Sequence, residues 1–582
     1  MKFSFRTFLL MRGAVANVGL VVHRLLSKIF PTPLPWIIPG FSGWPPFRRH
    51  FVQNLFIGVC IELVIISLSH FGVPWVVNNQ DAALDFMMRL STNLPAEGKK
   101  HPNQVWIDVN ERTYRSSQWG GGEPSALPLV PLAKLIEFAV EYEGARYVVV
   151  DFTIDGPENP PQSENALQKE FDTQQQKFAA DMRVLLEKHK DEHDGNGIHL
   201  LFMWAVREPH LQEWRVSRSV RPSVLDALIA GYPNNVHAVA PNFVVSDDHV
   251  LRHWKLWESA CRHGEGEKSG EGHWVVLPSP QLVLAALLGQ HEPPPWSLGV
   301  DTKSKGEVSP VCAMNDGYDA EPKEILRDAT DSQLADFRAG RWVKDNFGDC
   351  YQQDQFTHAD CTGAFSQRAA ETEAEPATAL SNRVYFRIYD SDSLPPSFHR
   401  KPKPSWLSRW IGQRPLELSG VPKRSADKIL KLSPGEKVRW DASEKENLIA
   451  VIGASYTDSR DFYLTPLGEM PGALVLINAI DSLCTVGVLQ PPKLWQKLLI
   501  IVVILVAVSA AFARLPTFWA ATAMMAAIVC LLGPISFWLI KGHGVWVDFT
   551  VPIIGIYFHR EWEELHERLS RCLPNTTTGE SL

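Results

Sequence analysis

Cysteine is scarce and scattered: eight in 582 residues, with no CxxC pair and no Cys/His cluster at zinc spacing. A structural zinc site needs such paired ligands, so neither a metal nor another cofactor is expected. No P-loop, GxGxxG, HExxH or kinase signature occurs, which argues against an ordinary nucleotide-dependent enzyme. A nucleophile elbow is missing too, because Gly453-Ala454-Ser455 is followed two residues later by Thr457 where GxSxG needs glycine. Acidic residues are absent from the first fifty positions, which hold Lys2, Arg6, Arg12, Arg24, Lys28, Arg48 and Arg49. Removing these seven positive charges from the net −8 leaves the remainder at −15, so no nucleic-acid partner is expected. Long apolar runs are few, and their placement is the most informative positive feature.

One such run covers residues 51–72, and three more follow a long polar region, at 494–513, 517–540 and 543–558. A bilayer core of about 30 Å needs ~20 helical residues per crossing, and the last run, holding Asp548 and Pro552, is the shortest. Four crossings put both termini on one side and residues 73–493 on the other. Arg48 and Arg49 before the first span, Arg514 between the second and third, and Arg560 after the fourth assign the short basic flanks to the cytoplasm. The expected location is the bacterial inner membrane, multi-pass, with the main domain periplasmic and residues 559–582 a cytoplasmic tail. A cleaved signal peptide is the competing reading of the N-terminus, but its apolar run TFLLM is short and broken by Arg12. The basic, Pro-rich arm, residues 1–50, suits an amphipathic segment on anionic lipid, or a docking peptide. Five cysteines fall in the outer region, Cys261, Cys312, Cys350, Cys361 and Cys484, and spacing does not give their connectivity.

Within 73–493, strand-like VWIDVN (105–110), RYVVVDFTI (146–154) and IHLLFMWAV (198–206) alternate with helical stretches at Leu127–Tyr142 and Gln162–Lys190. That order predicts an α/β fold, a mostly parallel sheet with helices on both faces, beside an α-helical four-span membrane bundle. NVHAVAPNFV (235–244), WVVLPS (274–279), VYFRIYD (384–390) and LIAVIGAS (448–455) are expected in the same sheet, with a helix at Gly472–Val486. Residues 291–380, polar and containing Pro and Glu, read as an insertion.

Polar groups recur just past the strands: Asp108, Asn110 and Glu111 after the first, Asp151 and Asp155 after the second. Open α/β sheets bind ligands outside the carboxyl ends of their strands, and a cation, an amine or a sugar suits such a rim. The plainer reading, that these residues cap turns, carries more weight. The loop after residue 454 adds Ser455, Asp458 and Asp461 ahead of Pro471-Gly472, which opens a helix with free N–H groups. Asp248 and Arg252, four apart, suit an ion pair bracing a hairpin. Glu62 lies midway along the first span, where an ionisable group costs about 2.5–3.5 kcal/mol on insertion scales. It is assigned to bundle assembly.

The motifs DFMMR (Asp85 to Arg89), VWIDVNERTY, SSQWGGG, YEGARYVVVDFTI, SDDHVLR and IGASYTDSRDFYLTPLGEMPGALVLINAIDSL together resemble the type-2 CHASE family. These are extracytoplasmic sensory domains found with bacterial cyclases and kinases. The departures are the long arm, the insertion, and GGGEP in place of a Trp-Pro-Trp-like element. The resemblance implies a periplasmic sensor of an unspecified ligand, with Asp85, Arg89, Asp248 and Arg252 in structural or signalling roles, and it makes a homodimer an expectation. The tail after the fourth span offers only a short helix, EWEELHERLSR, so the output is expected to pass to a separate protein. The chain is therefore read as a non-enzymatic inner-membrane sensor whose partners are the lipid bilayer, a periplasmic ligand and an output protein. Two readings stand beside it: a scaffold subunit of an envelope complex, and a metal-dependent hydrolase using Asp108, Asp151 and Asp155.

Overall fold

The computed structural model describes residues 45–70, 74–91, 102–122, 127–154, 165–192, 197–204, 206–207, 219–220, 225–240, 243–246, 248–254, 256–262, 271–288, 311–313, 383–388, 421–432, 447–487, 489 and 492–572. The arm up to residue 44, Asp155 and nearly all of the 291–380 insertion, with Cys350 and Cys361, lie outside these residues. The longer helices are α1 (Pro46–His70), α2 (Pro74–Ser91), α3 (Leu129–Glu141), α4 (Asn165–Lys188), α5 (Pro280–Leu288), α6 (Gly472–Thr485), α7 (Leu494–Arg514), α8 (Thr517–His543) and α9 (Thr550–Cys572). The parallel strands are β1 (Gln104–Val109), β2 (Tyr147–Thr153), β3 (His199–Met203), β4 (Val236–Val239), β5 (Lys423–Ser425) and β6 (Ile449–Ala454). Two compact units emerge, one of residues 1–84, 491–539 and 545–582, the other of 85–490 with 540–544.

The second unit is α/β. Its strands are runs of Val, Ile, Leu and Ala buried on both faces, as a sheet covered on both sides requires. They form one six-stranded sheet in the order β5-β1-β6-β2-β3-β4, and every pairing is parallel. Successive side chains point to opposite faces. Ala450 and Ile452 of β6 join Val148, Val150, Leu200 and Phe202 in the core under α3 and α4. Gly453, of the other parity, meets Ala473 of α6. Helices thus cover both faces, with the boundaries of α3, α4 and α6 within three residues of the sequence reading.

Three segments expected in this sheet depart from it wholly or in part. Residues 274–279 belong to the strand Glu271–Pro278, which pairs antiparallel with Trp257–Arg262 in a separate five-stranded sheet. Only residues 263–270 connect these two strands, too few for the crossover of about a dozen residues that a parallel pairing needs. The segment 235–244 divides: its first part is β4, whereas Phe243–Val245 pairs antiparallel with Leu251–Trp254 as a hairpin. Pro241 between them has no N–H to give a ladder. The described part of segment 384–390, residues 384–388, makes no ladder. Side chains of α6 replace a neighbouring strand: Ser482 Oγ accepts the Tyr385 N–H at 3.0 Å, and Asn478 Oδ1 accepts those of Arg387 and Ile388 at 2.8 Å. Helix α2, which the sequence pattern did not reveal, carries Asp85 and Arg89.

Among the described residues of the first unit, three helical stretches are long and apolar enough to cross a membrane: His50–Leu68, Trp495–Arg514 and Thr517–Ile540. Their apolar side chains, among them Leu498, Val502, Trp519, Leu531 and Trp538, are largely exposed, as a lipid-facing surface requires. The fourth expected span, 543–558, is only partly helical. Asp548 Oδ1 accepts the Thr550 N–H at 2.8 Å and its hydroxyl at 2.5 Å, so α9 begins there rather than at 543. The preceding non-helical backbone is partly satisfied internally, with Val547 N–H donating to Ser536 Oγ at 3.1 Å and Val545 N–H to the Leu539 carbonyl at 3.3 Å. The tail helix is the charged continuation of α9 and not a separate element.

Candidate functional site

Because β6 enters between β1 and β2, three adjacent strands deliver Asp108, Ser455 and Asp151 to one edge of the sheet. Asp108 is fully buried. Its Oδ1 accepts the Ser455 hydroxyl at 2.5 Å, and its Oδ2 lies 3.1 Å from Lys423 Nζ. Lys423 arrives from β5, and its ammonium stands 4.5 Å over the Trp106 ring. Asp108 therefore fastens the ends of β5, β1 and β6 together. Asn110 caps the turn Glu111–Tyr114 by accepting the Arg112 and Thr113 N–H groups, and its amide donates to Ser425 Oγ at 2.6 Å. Glu111 pairs with Arg115 at 2.6 Å and accepts the Thr457 N–H at 3.1 Å. Against a desolvation cost, these contacts hold its carboxyl below the usual carboxylate range. Asp108, Asn110, Glu111 and Ser455 are thus each engaged in bonds that fix a turn or a strand end.

Asp151 and Asp461 differ. Both are half-buried and near enough to sense one another's charge. Burial, then the charge of Asp461, raises the Asp151 carboxyl well above its ordinary value. Burial also raises Asp461, against the lowering influence of the Tyr463 hydroxyl, and the Gly472 N–H donates to the Asp461 main-chain carbonyl at 2.9 Å. Two glycines make the space. A Cβ on Gly453 would stand 3.2 Å from Asp151 Oδ2, and one on Gly472 only 2.1 Å from Asp461 Oδ2. Arg460, in the left-handed region at φ 52°, closes the turn over Thr457–Ser459 and turns the chain toward Asp461. Gly472 begins α6, so the carboxylate pair sits at the positive end of that helix. Asp458 is exposed on the adjoining turn.

A second cluster holds α2. Arg252 reaches Asp85 at 2.9 Å and Asp248 at 2.6 Å, and Arg383 reaches Asp85 at 2.7 Å. Arg252 Nη1 donates to Asp248, whose carboxyl is held below its usual range by that guanidinium. Arg89 Nε donates to the Pro466 carbonyl at 2.6 Å, tying α2 to the hairpin Phe462–Pro471. His253, beside both arginines, is kept neutral, its pKa lowered to about 3 by burial and then by their charges.

Residues 60–511 match the CHASE2 domain. The chain belongs to the CHASE2 domain family. No curated protein and no solved structure matches it. CHASE2 domains are extracytoplasmic sensory modules, and the match extends from inside α1 to inside α7.

Within this CHASE2 domain, sequence reading missed Lys423, Arg383, Tyr463 and the steric role of Gly453 and Gly472. Lys423 and Arg383 flank polar, aperiodic stretches, and no local spacing links them to Asp108 or Asp85, hundreds of residues away. Among the described residues, no three His, Cys, Asp or Glu side chains gather in a group able to hold a metal ion.

Two facing carboxylates favour sharing a proton or taking up a cation. The sign of the pH effect follows from linkage. Both carboxyls are raised in the folded chain, so the folded state binds more protons than the unfolded one above pH 3.8. Their contribution to stability is complete below pH 3.8 and is lost as pH rises through the raised values.

Proposed function

We propose that the chain is a multi-pass inner-membrane sensor whose CHASE2 domain lies in the periplasm and whose termini are cytoplasmic. In this reading the Asp151–Asp461 pair at the N-terminus of α6 binds a cationic ligand, such as an amine, in place of a proton. The observation that carries it is the placement of that pair. Only residues 486–493 separate the end of α6 from α7, so a change at the pair reaches a membrane span through one helix and a short connection. The fourth crossing is assigned to the internally bonded stretch 545–549 and the apolar first turns of α9. An output protein reads the cytoplasmic ends, and a homodimer is the assembly proposed.

The test is the thermal stability of the full chain in lipid nanodiscs, with calcium, a diamine and a neutral sugar as probes. Stability is expected to fall as pH rises above 3.8, and the diamine to restore it near neutral pH. Saturating ligand at a hundredfold excess over Kd adds about 2.7 kcal/mol. Asp151→Asn and Asp461→Asn should remove both effects. Equal stabilisation of wild type and both variants, or none by any probe, contradicts the cation site and leaves the scaffold reading in its place.

A further inference from the structure

Inside the first unit, α1, α7 and α9 enclose a small cavity whose lining holds two ionisable side chains, Glu62 and His559. It offers about 20 Å³ to the centre of a water-sized sphere, room for about one water. Glu62 is 7% exposed and His559 2%, and neither ring nitrogen of His559 has a hydrogen-bond partner among the described residues. The Phe512 ring stands edge-on to that imidazole at 4.5 Å and offers it no polar atom. Two glycines bring the helices together around this polar centre. A Cβ on Gly555, one turn before His559, would lie 3.3 Å from Glu62 Oε2, and one on Gly58 would lie 2.9 Å from Leu505 Cδ2.

A single charge in such a setting is costly, whereas a carboxyl and an imidazole that hold one proton between them are jointly neutral. The other charged groups around the cavity are few. Lys497 on α7 and Asp548 before α9 act on Glu62 electrostatically, and Arg560 is engaged by Glu564 at 3.0 Å on its own helix.

We propose that Glu62 and His559 form a proton-binding site inside the helix bundle, holding one proton between carboxyl and imidazole through a water in the cavity. In one arrangement the Glu62 carboxylic acid donates to the water and the water donates to an imidazole nitrogen. In the other the proton sits on the imidazole, which donates through the water to the carboxylate. Loss of the proton to solvent leaves a carboxylate opposite a neutral ring, and a net charge appears between α1 and α9. The closeness of these helices then follows proton activity, independently of any ligand at the periplasmic pair.

Infrared difference spectra of the full chain in lipid bilayers, recorded against pH, test this. A protonated carboxyl band lost in Glu62→Gln is expected to titrate between about pH 5 and 8. Its midpoint should move by at least about one unit, a tenfold change in proton affinity, in His559→Gln. An unchanged midpoint in His559→Gln, or neither a Glu62 carboxyl band nor a His559 imidazolium band titrating in that range, overturns the proposal. Should His559→Gln fail to insert, nitrogen-15 spectra of labelled histidine in wild type and Glu62→Gln read the same coupling. A His559 titration that shifts on Glu62→Gln supports the site, and one that stays in place overturns it.

Discussion

Asp85→Ala is expected to destabilise the CHASE2 domain by about 3–5 kcal/mol, seen as a large drop in melting temperature of the full chain. The Asp85 carboxylate accepts from Arg252 Nε and Nη2 at 3.1 and 2.9 Å and from Arg383 Nη2 at 2.7 Å. The side chains of all three residues are less than a tenth exposed. Removing the shared anion takes a close counterion from two guanidinium groups in a poorly solvated place, while Asp248, 45% exposed, stays beside Arg252. Breaking one member of a buried charge cluster costs more than the cluster contributes, because desolvated charge is left behind. Asp85→Asn keeps the shape and one acceptor oxygen, so its loss should be smaller. A loss below about 1 kcal/mol for Asp85→Ala, the range of an exposed ion pair, would show that water reaches the cluster freely.

Gly453→Ala is expected to have the second largest effect, about 1–3 kcal/mol from overpacking. The added Cβ would stand 2.5 Å from the Ala473 Cβ, and neither methyl has a torsion by which to move aside. Strand β6 and helix α6 must separate, and Asp151, whose Cβ lies 3.2 Å from the same point, must shift with them. Gly231→Ala is the control. Gly231 ends the short helix Leu225–Gly231, a Cβ there meets nothing within 4 Å, and alanine exceeds glycine in helix propensity, so neutral or slightly raised stability is expected. Equal melting temperatures for the two variants would contradict the close strand–helix packing.

The parts of the fold visible in sequence were those whose signal is local. Apolar runs such as YVVV at 147–150 and IAVI at 449–452 marked central strands, and the spacing of Leu132, Leu135, Ile136 and Ala139 marked α3. Register and partner choice were not visible. The strand at 271–278 carries the same apolar signature, yet a short connection sends it into another sheet. The segment 384–390 was legible as strand-like, but the backbone of its residues 385, 387 and 388 is bound by Asn478 and Ser482 of α6, which no alternation pattern encodes. The candidate site was legible in composition and opaque in pairing. Asp108, Asn110 and Glu111 occur as a cluster in sequence, and the structure engages each in a bond that fixes a turn or a strand end. Asp151 and Asp461, 310 positions apart, come together only because β6 is inserted beside β2.

Sensing across a membrane requires that the α/β unit and the chain termini lie in different compartments. Reporter fusions measure this directly, using one reporter active only outside the cytoplasm and another that matures only inside it. Insertion near residue 195, between α4 and β3, should activate the outside reporter, and fusion at either terminus the inside one. Cytoplasmic activity near residue 195 together with an external N-terminus would contradict the periplasmic sensor.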